Sequence, residues 1–222
     1  MSVIPLVTGP NPTVVLNSAA FEAAGGVEGP AVLIQGVHVD ELGNLDSNVC
    51  YDLHVGSSYK DHRDEHPVQL EGRAITIPPG NAVIIEAEEQ VHVPKRMFGY
   101  IVPKVSLLQR GLSNTMSKVD PGYHGRLYVT LFNLGKNTEH LERGERFCAI
   151  TFFEVAHGVT AYPKPGQGWP AGKRTRFWST VRNQLERNGA IVAVIGALAT
   201  LALVIVQLLV LYFTIGPGSG PR

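Results

Sequence analysis

Seven short, largely apolar stretches alternate with breaks of Gly, Pro and Asn: 31–34, 50–55, 74–77, 82–87, 99–102, 126–131 and 146–155. Their β-branched and aromatic residues, bounded by turn residues, predict strands. Regular strands with turn signals and almost no helix predict an all-β double sheet or distorted barrel. One short helix is predicted after Asn17-Ser18, over Ala-Ala-Phe-Glu-Ala-Ala, with Gly25-Gly26 behind it. Residues 59–69 form a charged, His-bearing stretch (Lys60, Asp61, His62, Arg63, Asp64, Glu65, His66) that reads as a solvated loop. His62 and His66 have no partner cluster for a metal in the sequence.

The pattern changes character at the C-terminal side. Residues 190–215 are apolar and uncharged, interrupted only by Thr200, Gln207 and Thr214. A helix of roughly 26 residues rises about 39 Å, against a hydrocarbon core of about 30 Å, which predicts one transmembrane α-helix. Lys173, Arg174, Arg176, Arg182 and Arg187 precede the run and only Arg222 follows it. The positive-inside rule then predicts a single-pass membrane protein with a cytoplasmic N-terminal domain and the C-terminus outside. Phe177, Trp178, Val181 and Leu185 share one helical face, which suits a segment lying on membrane lipid or a cytosolic extension of the span helix. Ala193, Gly196-Ala197 and Thr200 carry the small-residue spacing that permits close helix contact.

Charge sharpens this division. Residues 1–172 hold 13 Lys/Arg and 18 Asp/Glu, a balance of −5, whereas residues 173–222 hold 6 and 1, a balance of +5. An acidic head gives no basic surface for nucleic acid, and none is expected as a partner. Cys50 and Cys148 have no metal or redox spacing, consistent with a reducing compartment. The start Met1-Ser-Val-Ile-Pro5 lacks a basic n-region and continuous apolar core, so no signal peptide is expected. The predicted organisation is an N-terminal segment with a short helix (1–30), a β domain (31–160), a Pro/Gly linker (161–172), a basic juxtamembrane segment (173–189), the span (190–215) and a short tail (216–222).

The chemistry gathers around Asp120-Pro121-Gly122-Tyr123-His124-Gly125. Pro second and Gly third suit a type II turn, which needs a positive φ at Gly122, and the turn sets a carboxylate beside an aromatic ring. Ahead of it stand Tyr51-Asp52-Leu53, Ile77-Pro78-Pro79-Gly80-Asn81-Ala82-Val83-Ile84, Val93-Pro94-Lys95-Arg96-Met97-Phe98-Gly99, Ser106-Leu107 and Arg110-Gly111-Leu112. Behind it come Asn133-Leu134-Gly135 and Gly144-Glu145-Arg146-Phe147. This ordered set resembles the dUTPase/dCTP deaminase superfamily, and the deaminase branch more closely.

The resemblance implies a jelly-roll-like distorted β-barrel, a homotrimer with sites between subunits, and a pyrimidine deoxynucleoside triphosphate as partner. It places Asp120 as the catalytic base and Tyr123 against the deoxyribose. Asp52, Lys104, Ser106 and Arg110 fall toward phosphates, with Mg²⁺ brought only by the triphosphate. A carboxylate that merely caps its turn is the plainer reading of Asp120, and an outward strand residue that of Asp52. The match is altered at telling places. Thr130 stands where the deaminases carry a catalytic Glu, Gln109 where they carry an Arg, Lys104-Val105 where the second motif reads Arg-Ser, and Ala149 where dUTPases carry a Gln. Thr130 cannot serve as a general acid–base at neutral pH, so family-type deamination is not expected, and dUTPase-type hydrolysis is the chemistry that stays open. The alternatives are a catalytically inactive trimeric nucleotide sensor signalling through its membrane helix, and a scaffold without a nucleotide site. Zinc deamination is excluded, since no His-x-Glu with Pro-Cys-x-x-Cys occurs.

Overall fold

The computed structural model describes residues 13–38, 49–156, 159–163, 169 and 189–214. The expected juxtamembrane segment, the tail and part of the linker lie outside them. The chain divides into two compact units, Met1–Gly172 and Lys173–Arg222.

In the first unit, β1 (Val14–Val15) pairs in parallel with β2 (Val32–Gln35) across helix α1 (Ser18–Ala23). Asn17 caps α1 through its side-chain oxygen, which accepts from Ala20 N at 2.8 Å. With only six residues, α1 depends on that cap and on the burial of Phe21. Asn17→Ala is therefore expected to lower stability by about 1 kcal/mol, read as a shift in the chemical denaturation midpoint at unchanged slope.

Two long strands organise the rest. They are β3 (Cys50–Asp61) and β6 (Ala82–His92), each running well past the predicted stretch. The first half of β3 pairs with β12 (Arg146–Glu154), which pairs with β7 (Met97–Pro103), which pairs with β9 (Ser117–Val119). The second half of β3 pairs with β6 and with β4 (Val68–Gln69). β2 continues along the same edge of β6 as β3, while β10 (His124–Asn133) takes the other edge and also pairs with β8 (Leu112–Asn114). A separate two-stranded ribbon joins β5 (Ile75–Ile77) to β11 (Glu139–Leu141). Alternate residues of both halves fill one core, with Tyr51, Leu53, Ile85, Val91, Phe147, Ile150 and Phe152 almost wholly buried.

The strands expected from the sequence are all present, but the barrel is not closed. The strand order runs from β1 to β9 without these two ends pairing, so the molecule is mostly β-sheet rather than a closed barrel. Bulges in β3–β6, β3–β12 and β6–β10 bend the long strands so that each serves two neighbours. The charged stretch 59–69 is also partly sheet, since β3 continues to Asp61 and β4 returns against it.

The second unit contains helix α3 (Gly189–Thr214). Among the described residues, no helix is long and apolar enough to cross a membrane. This overturns the expected transmembrane anchor, the single-pass placement with a cytoplasmic head, and the lipid partner that rested on them.

Candidate functional site

Asp52, on the β3 segment that pairs with β12, sits directly opposite Ala149, which in turn sits opposite Val102 of β7. Lys104 follows β7 and is the N-cap residue of a short helix, α2 (Val105–Gln109). Its ammonium forms a salt bridge with the Asp52 carboxylate, and Arg146 Nη1 lies 4.0 Å from the same oxygen. Two cations thus meet one carboxylate at a half-buried position. Beneath them Cys148 is buried and its thiol is pushed well up, first by burial and then by the charges of Glu89 and Asp52. Such a thiol stays protonated and inert.

Arg146 was not singled out from the sequence. In an unbroken ladder it would lie several residues along the strand from the partner of Asp52. A bulge between Arg146 and Cys148 shortens that separation and turns its guanidinium toward the acid.

α2 also changes how the second motif reads. Had this motif been a strand, the one-residue shift from Gln109 to Arg110 would have reversed the side chain. In the helix the same shift is a turn of about 100°. Ser106 lies exposed on α2, and Arg110 lies just beyond its end. The Arg110 guanidinium donates to Glu139 at 2.8 Å, to Glu145 at 3.1 Å and to the His140 carbonyl at 3.0 Å. Burial opposes its charge, but the hydrogen bonds and charges of Glu139 and Glu145 prevail and raise its pKa. Arg110 therefore ties β11 to the start of β12, apart from the Asp52 cluster.

The Asp120 turn forms as the sequence predicts. Tyr123 N donates to Asp120 O at 3.0 Å, and Gly122 has φ +77°. Gly122 N and Val93 O, then Val93 N and Tyr123 O, pin the turn to the end of β6 at 2.9 and 2.8 Å. The Asp120 carboxylate accepts from Lys118 Nζ at 2.7 Å, leaving turn closure to the backbone. Tyr123 packs against the core and its hydroxyl donates to the Arg126 carbonyl. Burial, with Tyr128 and Tyr162 nearby, pushes its phenol up to about 12. The chain after β12 returns over this turn. Tyr162 N donates to Pro121 O at 2.7 Å, and the Tyr162 ring lies 6.0 Å from that of Tyr123. The structure thus joins Asp52 to Lys104 and sets Asp120 beside Tyr123, while Ser106 and Arg110 stand apart.

The dCTP deaminase-like family model matches residues 37–155, more than half of the chain. The chain belongs to the dCTP deaminase-like family. It is 32% identical over 105 residues to a dCTP deaminase of Thermococcus kodakarensis, covering 47% of this chain and 67% of that enzyme. It is 36% identical over 76 residues to the deoxyuridine 5'-triphosphate nucleotidohydrolase of Escherichia phage T5, covering 33% of this chain and 51% of that protein. Among solved structures, the 2'-deoxycytidine 5'-triphosphate deaminase of Agrobacterium tumefaciens aligns with a TM-score of 0.48 at 19% identity, over 64% of this chain and 49% of that one. The matched dCTP deaminase-like region ends before the segment that covers the Asp120 turn.

Proposed function

We propose that the chain binds a pyrimidine deoxynucleoside triphosphate in a homotrimer whose sites form between subunits. The observation that carries this reading is the gathering of Asp52, Lys104 and Arg146 on three elements, with two cations around one carboxylate. A net positive, half-buried cluster suits phosphate oxygens, which take charge-assisted hydrogen bonds from Lys and Arg. Relatives named for dCTP deamination and for deoxyuridine triphosphate hydrolysis support the ligand class. Tyr123 would offer its ring edge to the sugar, and Ser106 and Arg110 would reach phosphates only across a subunit boundary.

Among the described residues, no three His, Cys, Asp or Glu side chains are grouped to hold a metal. A single partly exposed carboxylate, Asp52, fits Mg²⁺ that arrives on the triphosphate, where the ion would neutralise charge on the phosphate oxygens. Asp120, partly exposed and steadied by Lys118, would accept a proton from water in a hydrolysis. Thr130 removes the acid–base group for deamination, and the three contacts that already engage Arg110 favour a second reading: a nucleotide-binding protein without turnover.

The test incubates the full chain with dCTP, dUTP and dTTP plus Mg²⁺, following binding by calorimetry and products by chromatography. Pyrophosphate release would establish hydrolysis, and binding without products would establish the second reading. Lys104→Met is expected to weaken triphosphate affinity roughly 10- to 100-fold through loss of one charged contact. No binding of any of the three nucleotides by the unaltered chain would overturn both readings.

A further inference from the structure

The ribbon of β5 and β11 ends at the pair Ile75 and Leu141. Continued past that pair, the same register would set Ala74 against Glu142 and Arg73 against Arg143. Like charges placed directly opposite each other repel. The two chains part there instead, and a cleft of about 430 Å³ opens, lined by Leu70, Gly72, Arg73, Ala74, Glu142 and Arg143. It shares no residue with the Asp52 cluster or with the Asp120 turn.

Both walls of the cleft are fixed to one strand. Leu70 N donates to Ser57 O at 2.8 Å, and Gly144 N donates at 2.8 Å to the carbonyl of Val55, its neighbour but one on β3. Val55 N returns to Glu145 O at 2.9 Å, and Glu142 N donates to Glu145 Oε2 at 3.1 Å, which closes the second wall as a turn. Gly72 bends the first wall with a φ of +68°, and a side chain there would meet nothing within 4 Å. The backbone therefore holds the opening apart without a ligand, which keeps the ordering cost of binding small.

Two guanidinium groups line this space with most of their donors unused. Arg73 is exposed and has no side-chain partner among the described residues. Arg143 gives one nitrogen to Glu88 at 3.3 Å, a carboxylate that His38 already holds at 2.8 Å. An arginine carries five N–H donors, so both keep a fork open for a further acceptor. Glu142 is the one acid of the lining, and among the described residues it pairs with neither arginine. Had charge balance alone shaped this surface, Glu142 would have closed onto Arg73.

We propose that this cleft is a second binding site, for a small phosphorylated polyol such as a sugar phosphate, with the phosphate held between Arg73 and Arg143. A phosphomonoester carries about −1.5 to −2 charges at neutral pH and three free acceptor oxygens, enough for two guanidinium forks. A carboxylate, with two oxygens and one charge, satisfies only one of them. The volume falls in the range of roughly 300–1,000 Å³ usual for small-molecule sites, so the ligand has a body as well as an anion. Glu142 accepts from a hydroxyl of that body, and Leu70 and Ala74 give it a short apolar wall. The site is independent of the nucleotide reading above, since its phosphate meets two arginines that the Asp52 cluster does not contain.

The experiment is calorimetric titration of the full chain in low-salt buffer with ribose 5-phosphate and with inorganic phosphate, repeated on Arg73→Met, Arg143→Met and Lys104→Met. Ribose 5-phosphate is expected to bind more tightly than inorganic phosphate, because its sugar fills the cleft. Arg73→Met and Arg143→Met should each weaken it about tenfold or more, and Lys104→Met should leave it unchanged. Arg73 has no partner to lose, so its variant keeps the fold and decides the matter if Arg143→Met disturbs Glu88. Unchanged affinity in Arg73→Met would overturn the proposal, as would no binding of ribose 5-phosphate by the unaltered chain. A loss in Lys104→Met with none in Arg73→Met would assign the phosphate to the Asp52 cluster and overturn it as well.

Discussion

Glu89→Leu is expected to lower stability by on the order of 3–5 kcal/mol, a large share of what holds a domain of this size. Glu89 is wholly buried and takes hydrogen bonds from Tyr51 Oη at 2.8 Å, His54 Nδ1 at 2.6 Å and the His54 amide at 3.1 Å. A carboxylate only accepts, so Nδ1 carries the hydrogen, and His54 Nε2 is left buried without a partner. Leucine would strand three donors in a place that water does not reach. Each stranded donor costs about 1–3 kcal/mol, and nothing on a Leu side chain offsets it.

Position adds to the effect. The His54 ring stacks on His38 at 3.9 Å and 11°, and His38 Nε2 lies 2.8 Å from Glu88, which Arg143 also approaches at 3.3 Å. The Glu88 carboxyl is pushed up by burial, but the hydrogen bonds and charges of His38 and Arg143 outweigh that and hold it low. The network therefore links β3, β6, the segment after β2 and the turn before β12. Denaturation of the full chain followed by far-UV circular dichroism would measure the change. A loss under about 1 kcal/mol would show that the network relaxes around the missing carboxylate.

Little of that network could be read from sequence. Glu86, Glu88 and Glu89 sit in a run that alternation alone scores as a half-polar strand end. Nothing local says that Glu89 points inward while Glu88 does not. The strands themselves were legible because β-branched and aromatic runs bounded by turn residues are local signals, and the Asn17 cap and the positive φ at Gly122 followed from equally local chemistry. What escaped was decided by long-range pairing. A bulge delivers Arg146 to Asp52, a five-residue helix carries the second motif, and β3 and β6 run on through residues that composition marks as loop or break.

The same distinction between local rule and tertiary consequence governs Gly122. Gly122→Ala is expected to lower stability by roughly 2–5 kcal/mol and to remove the shape of the candidate site with it. A non-glycine residue in left-handed geometry costs about 1–2 kcal/mol, and Gly122 stands at φ +77°. An added Cβ would also lie 2.6 Å from Ala161 Cβ and 3.1 Å from Ala161 Cα, neither of which is a flexible tip. Overpacking of this kind adds about 1–3 kcal/mol. The returning segment would have to lift, breaking the Tyr162–Pro121 hydrogen bond and exposing Tyr123. Asp120→Asn, two residues away, provides the contrast. Its salt bridge to the exposed Lys118 is screened by solvent and contributes little, so the fold should persist. If the chain hydrolyses its nucleotide, turnover should nonetheless fall about 10²- to 10⁴-fold with binding retained. Denaturation midpoints and product chromatography on the two variants separate the turn as scaffold from the carboxylate as reagent. A Gly122→Ala protein as stable as the parent would mean that the returning segment does not rest on the turn.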